Sequence, residues 1–121
     1  AAGADLVAFP EMFIAGYNAQ DLVMKPAFHT AAIQAVRRLA ADCADGPALA
    51  IGGPWVEGTG LYNAYFILEG GAIKATLLKH HLPNETVFDE KRVYDAGPLG
   101  GPYSVAGVRI GSPICEDAWY E

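Results

Sequence analysis

Two β-type runs follow one another in Tyr62-Asn-Ala-Tyr-Phe-Ile-Leu-Glu-Gly-Gly-Ala-Ile-Lys-Ala-Thr-Leu-Leu-Lys79. Both are rich in the aromatic, β-branched and aliphatic residues that are typical of strands. Residues 69–71, Glu-Gly-Gly, separate them, and paired glycines supply the positive φ angles that a tight hairpin turn needs. The stretch therefore predicts an antiparallel hairpin of residues 62–68 and 72–78, with Lys79 ending its second strand.

A helix between two short strands is predicted before this hairpin. Residues 5–9 and 48–51 are short apolar runs of strand type. Between them, from Pro26 to the Asp-Gly-Pro of residues 45–47, apolar residues recur with the 3.6-residue period of one helix face. These residues are Phe28, Ala32, Ala35, Val36, Leu39 and Cys43.

The remainder of the chain predicts a long loop and a second hairpin. Residues 80–102 contain prolines, Gly-Pro pairs and acidic residues, which favour a surface loop with little regular structure. Val105 to Ile114, interrupted by Gly107, predicts a hairpin whose second strand delivers Cys115. The order strand, helix, strand, hairpin, loop, strand indicates an α/β protein with a mixed sheet.

Composition limits the classes of function. The 121 residues are 52% hydrophobic and 18% charged, which is enough for one domain with a buried core. The net charge of -6 argues against nucleic acid or an anionic membrane as the main partner. The chain has no apolar run near the roughly 20 residues that span a bilayer, and it begins without a basic signal-peptide region.

The cysteine pattern and the chain ends lead to two further expectations. Cys43 and Cys115 lack metal-ligand spacing, so we expect reduced thiols in a cytoplasmic protein. The chain has no initiator Met, and it stops shortly after Cys115. We therefore expect residues 1–121 to be part of a larger domain, truncated at both ends.

Three reactive side chains each end an apolar run: Glu11, Lys79 and Cys115. Where a strand gives way to a helix, free backbone N–H groups favour a thiolate and an oxyanion beside it. A carboxylate in a partly apolar pocket can serve as a general base. Lys79 is suited to stabilise an oxyanion together with the backbone N–H of Glu116, and a lysine beside the sulfur also favours thiolate. These residues can therefore hydrolyse an amide through a cysteine acyl-enzyme.

Structural explanations for the same residues remain open at this point. An isolated buried cysteine is more often a packing residue, and a terminal Glu or Lys is usually a solvated charge. His80 or His81 could pair with a cysteine, but strand alternation sends at most one of them to the face of Lys79. No histidine pair has zinc spacing and no glycine motif precedes a helix, so we expect neither a metal nor a cofactor in this segment.

Three sequence blocks resemble those of the carbon–nitrogen hydrolase, or nitrilase, superfamily, in the same order. They are Phe9-Pro-Glu11 with Gly16-Tyr17, Lys79 ahead of Leu82-Pro83, and Ile114-Cys-Glu-Asp117. More narrowly, three longer stretches are similar to the glutaminase domains of glutamine-dependent NAD synthetases. They are Lys79-His-His-Leu-Pro-Asn84, Val87-Phe-Asp-Glu-Lys-Arg92 and Ile114-Cys-Glu-Asp-Ala-Trp119.

The resemblance implies a fold and residue roles. It implies part of a four-layer α-β-β-α sandwich with mixed sheets, in which Glu11 is the general base, Lys79 the oxyanion stabiliser and Cys115 the nucleophile. The family's glutamine pocket is implied at three further positions, Tyr17, Phe88 and Glu116, where the carboxylate of Glu116 can hold the substrate ammonium. The family pattern usually has Tyr where this chain has Glu85, and two consequences stay open: a change in the substrate contacts, or a further carboxylate for the ammonium.

The resemblance also implies partners for the whole protein. Glutamine would be the substrate, and its ammonia would pass to a C-terminal synthetase domain that is absent from residues 1–121. That domain would use ATP and magnesium to amidate deamido-NAD, and the protein would form homo-oligomers. Two alternatives stay open: a free-standing amidase for another small amide, and a non-catalytic sandwich for assembly or partner binding. The second predicts that Cys115 and Cys43 are chemically labelled alike.

Overall fold

The computed structural model describes residues 2–17, 19–84 and 90–120. Its strands are β1 (Leu6–Ala8), β2 (Ala48–Glu57), β3 (Gly60–Glu69), β4 (Ala72–Leu78), β5 (Tyr103–Val105) and β6 (Val108–Ile110). Its α-helices are α1 (Pro26–Asp42) and α2 (Glu90–Val93), and short 3-10 helices span Gln20–Met24 and Cys115–Trp119. None of the helices in these ranges is long and apolar enough to cross a membrane.

The main sheet has four strands in the order β1-β2-β3-β4, and its pairing is mixed. β1 runs parallel to β2, whereas β2, β3 and β4 are successively antiparallel. β5 and β6 form a separate antiparallel pair. The prediction of an α/β protein with a mixed sheet is confirmed.

The two faces of the main sheet are buried against different partners. On one face, Val36 and Ala40 of α1 pack with Leu49, Ile51 and Phe66. On the other face, the β5–β6 pair contributes Tyr103 and Val105, which pack with Ala48, Ala50, Ile67 and Leu77. Neighbouring strand residues therefore alternate between two cores, and the described chain forms an α-β-β stack.

The hairpin predicted from residues 62–78 is confirmed. Gly70 and Gly71 form its turn with φ angles of 62° and 89°, the left-handed region that glycine enters without a side-chain clash. β3 and β4 pair on either side of this turn, with a register irregularity between Ile67 and Leu68. The predicted helix and the strand at residues 5–9 are also present, as α1 and β1.

The end of β2 differs from the sequence prediction, because Gly52, Gly53 and Pro54 do not end the strand. The strand expected to end at residue 51 continues to Glu57 and forms a long hairpin with β3. Gly52 and Gly53 are kept in the strand because other chain segments pack directly onto them. Pro54 lies beyond the pairing with β1, which covers only residues 48–50 of β2, and a proline is tolerated at such an edge position.

The C-terminal part is less regular than one continuous hairpin. β6 ends at Ile110, so residues 111–114 separate it from Cys115, which begins a 3-10 helix instead of ending a strand. The expected irregular stretch of residues 80–102 contains the short helix α2. Residues 85–89 of that stretch, which include Glu85 and Phe88, lie outside the described residues.

Candidate active site

A buried ammonium group joins two carboxylates at the end of β4. The Lys79 side chain is fully buried, and its Nζ donates to Glu11 Oε1 at 2.7 Å and to Glu90 Oε1 at 2.9 Å. The Lys79 backbone is fixed on both sides, since its N–H donates to Asn63 O and its carbonyl accepts from Gly97 N. The structure thus brings Lys79 and Glu11 into direct contact, although 68 residues separate them in sequence.

Glu11 is carried by a tight turn that is packed onto β2. Phe9 N donates to Ala50 O at 2.7 Å, and Ile14 N donates to Gly52 O at 3.1 Å, so both ends of the turn are hydrogen-bonded to the strand. Met12, directly after Glu11, has a left-handed φ of 53°. A non-glycine residue in this region stores strain that surrounding contacts must hold, as is common at functional sites.

One ammonium between two carboxylates leaves the cluster with an excess negative charge. Burial alone lowers the pKa of Lys79, but the hydrogen bonds and charges of Glu11 and Glu90 together outweigh it and leave this pKa raised. Burial raises the pKa of Glu90 above its usual range, and Lys79 only partly offsets that effect. Lys79 is therefore held in its charged form, while the pKa of Glu90 lies above its ordinary value.

Cys115 occupies a sharp turn between extended chain and a 3-10 helix. Ile114 before it is extended, with φ -96° and ψ 108°, whereas Cys115 itself has a left-handed φ of 49°. Cys115 and Glu11 face the same cavity of about 350 Å³. The cavity is also lined by Phe9, Tyr65, Gly111, Ser112, Pro113 and Ile114.

The pKa of the Cys115 thiol is raised, although Lys79 and the Glu116 backbone N–H both act in the direction that the sequence suggested. Partial burial and the charge of Glu11 raise the pKa of Cys115, and the charge of Glu90 adds to this. The charge of Lys79 and a hydrogen bond from the Glu116 backbone N–H lower it but do not prevail. A protonated thiol facing a carboxylate is the arrangement that general-base activation requires.

The predicted pocket residues are placed as follows. Tyr17 is half exposed, and its hydroxyl donates to Glu90 Oε1 at 3.4 Å. Burial and the nearby charges of Glu90, Glu11 and Cys115 raise the pKa of Tyr17, which places this residue within the field of the cluster. Glu116 Oε1 accepts a hydrogen bond from Tyr120 at 3.0 Å. Glu85 and Phe88 remain predictions, because they lie outside the described residues.

Both histidines that follow Lys79 are engaged away from Cys115. His80 Nδ1 lies 2.7 Å from Gly97 O, and His81 Nδ1 lies 3.1 Å from Asp117 Oδ1. The Asp117 carboxylate also accepts the backbone N–H groups of His80 and His81. Asp117 thereby connects the chain after Lys79 to the turn that carries Cys115.

Two buried polar residues of the site were missed in the sequence. Glu90 belongs to the quoted stretch Val87-Phe-Asp-Glu-Lys-Arg92, but nothing local showed that it pairs with Lys79. Asn63 donates through Nδ2 to Glu11 Oε1 at 2.8 Å from the middle of β3. An amide within an otherwise apolar strand is the pattern that could have revealed it. Among residues 2–17, 19–84 and 90–120, no group of three or more His, Cys, Asp or Glu side chains has metal-binding geometry.

Comparison with known proteins identifies the family. Residues 1–121 match the family model described as carbon-nitrogen hydrolase. The chain belongs to the carbon–nitrogen hydrolase family. Its similarity to the NAD synthetase branch is confirmed by a glutamine-dependent NAD(+) synthetase of Rhodobacter capsulatus, which is 57% identical over 120 residues. That alignment covers 99% of this chain and 22% of the relative, so the chain spans about a fifth of the relative's length.

Solved structures of carbon–nitrogen hydrolases share the fold. A glutamine-dependent NAD+ synthetase from Acinetobacter baumannii, in complex with adenosine diphosphate, superimposes with a TM-score of 0.87 at 32% identity. The match covers 96% of this chain and 22% of that one. An amidase mutant from Nesterenkonia sp. AN1, with the acetamide moiety of fluoroacetamide added covalently at its active site cysteine, matches with a TM-score of 0.65 at 26% identity. That match covers 84% of this chain and 38% of the amidase.

Proposed function

We propose that this chain hydrolyses the side-chain amide of glutamine through Cys115 and supplies the ammonia for amidation of deamido-NAD to NAD. The observation that carries the proposal is the contact of Lys79 with Glu11, with Cys115 facing the same cavity as Glu11. The names of the relatives supply the substrate, since those that align with the chain are called glutamine-dependent NAD synthetases.

In the first half of the reaction, the Cys115 sulfur attacks the amide carbon while Glu11 accepts the thiol proton. The amide oxygen gains negative charge, which the Lys79 ammonium and the Glu116 backbone N–H stabilise. Glu11 then returns the proton to the departing nitrogen, so that the carbon–nitrogen bond breaks, ammonia leaves and a thioester remains on Cys115.

In the second half, a water molecule attacks the thioester carbon. Glu11 takes a proton from the water, and the tetrahedral intermediate collapses with the Cys115 sulfur as the leaving group. The sulfur regains its proton, and glutamate is released. The raised pKa of Cys115 is consistent with this cycle, because the enzyme returns to a protonated thiol that faces the Glu11 carboxylate.

Recognition of glutamine is assigned to four residues. Glu116 and Glu85 would hold the substrate ammonium through charge-assisted hydrogen bonds, and Tyr17 and Phe88 would enclose the carbon chain. The contact between Tyr17 and Glu90 links this binding side to the buried Lys79.

The remainder of the proposal concerns the whole protein. Residues 1–121 would be part of a glutaminase domain joined to a C-terminal synthetase domain, which binds ATP and magnesium. The protein would be a cytoplasmic homo-oligomer. No ATP-dependent step is assigned to the described residues, and no cofactor is expected to bind them.

A free-standing amidase for another small amide is the second candidate. The structural likeness to the Nesterenkonia amidase, at a TM-score of 0.65, favours it. It predicts an active Cys115 with the same catalytic cluster but no coupling to NAD formation.

Substitution of the nucleophile tests the proposal in the full-length natural protein that contains this chain. Cys115→Ala should lower glutamine hydrolysis by at least about a thousandfold, because no other group forms the thioester. Synthesis of NAD from added ammonia should persist.

Cys43→Ala is the matched control. Cys43 lies half-buried at the end of α1, so its substitution should leave both activities unchanged. Loss of ammonia-dependent synthesis in Cys115→Ala would contradict the domain assignment, and amide hydrolysis without NAD formation in the wild type would favour the second candidate.

A further inference from the structure

We propose that Asn63 is a positioning residue that determines which oxygen of Glu11 exchanges a proton with Cys115. The inference rests on the proposed function, because it concerns the general base of that reaction. Asn63 is fully buried within β3 and approaches the site from a different strand than Glu11 and Lys79.

The hydrogen bonds around Glu11 are unequally divided between its two oxygens. Oε1 accepts from Asn63 Nδ2 at 2.8 Å and from Lys79 Nζ at 2.7 Å. A carboxylate oxygen offers about two acceptor positions, so these two donors occupy Oε1. Oε2 is the oxygen that remains for the thiol proton. Without the amide of Asn63, Lys79 alone would hold Oε1, and the carboxylate could rotate about its terminal torsion.

Asn63 also fixes the second member of the cluster. Its backbone carbonyl accepts the Lys79 N–H at 2.8 Å, at the point where β4 ends. Residue 63 therefore holds the Glu11 carboxylate through its side chain and the Lys79 backbone through its carbonyl, and only the first of these depends on the amide.

The cost of burying Asn63 argues for a role beyond stability. Its Oδ1 atom is buried and has no hydrogen-bond partner among the described residues. Burial of an unpaired amide oxygen is unfavourable, and an apolar side chain of similar size would suit the strand interior better. The amide is retained where its Nδ2 group donates to the Glu11 carboxylate.

Other charged or titratable groups also lie near Glu11. Lys79 and Glu90 are in the same cluster, and Cys115, Tyr17 and Tyr94 lie within range of the Glu11 charge. None of the last three hydrogen-bonds Glu11 among the contacts of the described chain, whereas Asn63 does. Asn63 is thus the neutral donor that orients this carboxylate.

The test compares glutamine hydrolysis by Asn63→Leu and Asn63→Ser in the full-length protein. A chloroketone analogue of glutamine titrates Cys115, and each rate is expressed per titrated active site. We expect kcat to fall about tenfold to a hundredfold in Asn63→Leu and less in Asn63→Ser, whose hydroxyl restores a donor, with KM nearly unchanged. Asp95→Ala is the control, because it removes a side-chain hydrogen bond to the same strand, from Leu61 N of β3, without touching Glu11, and should leave kcat unchanged.

Normalisation to titrated sites separates positioning from folding. A wild-type kcat per titrated site in Asn63→Leu, or a change in KM alone, would overturn the inference. If Asn63→Leu gives no titratable sites, the same comparison is made with Asn63→Ser, and a wild-type kcat per titrated site in that variant would overturn the inference. If the wild-type protein itself hydrolyses no glutamine, the proposed function fails before the role of Asn63 is reached.

Discussion

At Cys115, opposing charges determine the resting state of the sulfur. Burial contributes most to the raised pKa of Cys115, and the charges of Glu11 and Glu90 act in the same direction. The Lys79 ammonium, which both carboxylates share, lowers this pKa but does not prevail. The nucleophile is therefore a thiol that becomes reactive when Glu11 accepts its proton, in contrast to cysteine sites that keep a preformed thiolate.

The pH dependence of alkylation checks this state of the thiol. Iodoacetamide labelling of Cys115, followed by peptide mass, should reach half its maximal rate at a higher pH than for cysteine in an unfolded peptide. Glu11→Gln removes a negative charge that raises the pKa of Cys115, so its midpoint should shift to lower pH. Glu69→Gln is the matched control, because Glu69 is exposed and paired with Lys74. A midpoint that stays fixed or rises in Glu11→Gln would contradict the proposed balance of charges.

At the scale of elements, the turn after β1 packs closely onto β2 because Gly52 of β2 has no side chain. A Cβ atom on Gly52 would lie 2.3 Å from Met12 N, 2.7 Å from Pro10 O and 2.8 Å from Glu11 C. All three contacts are with backbone, which gives way less easily than a flexible side chain. Gly52 therefore permits the close approach that places Glu11 beside Lys79.

Gly52→Ala should displace the Glu11 turn. We expect a loss of about 1–3 kcal/mol in the free energy of unfolding, as for other overpacked sites, together with a reduced kcat for glutamine hydrolysis. Gly101→Ala is the matched control, since a Cβ there meets no atom within 4 Å and no positive φ is required. Urea denaturation and steady-state kinetics measure both effects. Wild-type stability and rate in Gly52→Ala would show that the turn adapts and does not constrain Glu11.

The elements that were predicted from sequence are those whose determinants are local. The β3–β4 hairpin follows from two apolar runs and the pair Gly70-Gly71, and α1 follows from its apolar face. The end of β2 was predicted wrongly because Gly52 and Gly53 resemble a break in the sequence alone. Only the packing of the Glu11 turn onto them shows why the strand continues.

The residues of the site also fall into two groups, those that could be recognised in the sequence and those that only the fold brings together. Glu11, Lys79 and Cys115 could be singled out because each ends an apolar run, and the family resemblance supplied roles for them. Glu90 and Asn63 could not be placed, because each acts through a side chain that is distant in sequence and becomes its neighbour only after folding. The pKa of Cys115 could not be worked out from sequence either, since it depends on burial and on the carboxylates that surround Lys79.

At the scale of the whole molecule, the site is assembled where several segments meet. β1 delivers the Glu11 turn, β3 delivers Asn63, and β4 ends at Lys79. The turn that carries Cys115 follows the β5–β6 pair, which packs on the opposite face of the sheet from α1. Asp117 then binds this turn to the chain after Lys79. The reactive groups thus depend on the stacking of both sheets.

The central claim is that Cys115 is a glutamine-directed nucleophile activated within this cluster. The most direct measurement is the intact mass of the full-length protein after treatment with a glutamine analogue that carries a chloroketone in place of the amide, with the modified residue mapped. The account predicts one adduct, located at Cys115, whose formation glutamine blocks, while Cys43 remains unmodified. Absence of an adduct at Cys115, or labelling that is indifferent to glutamine, would contradict it.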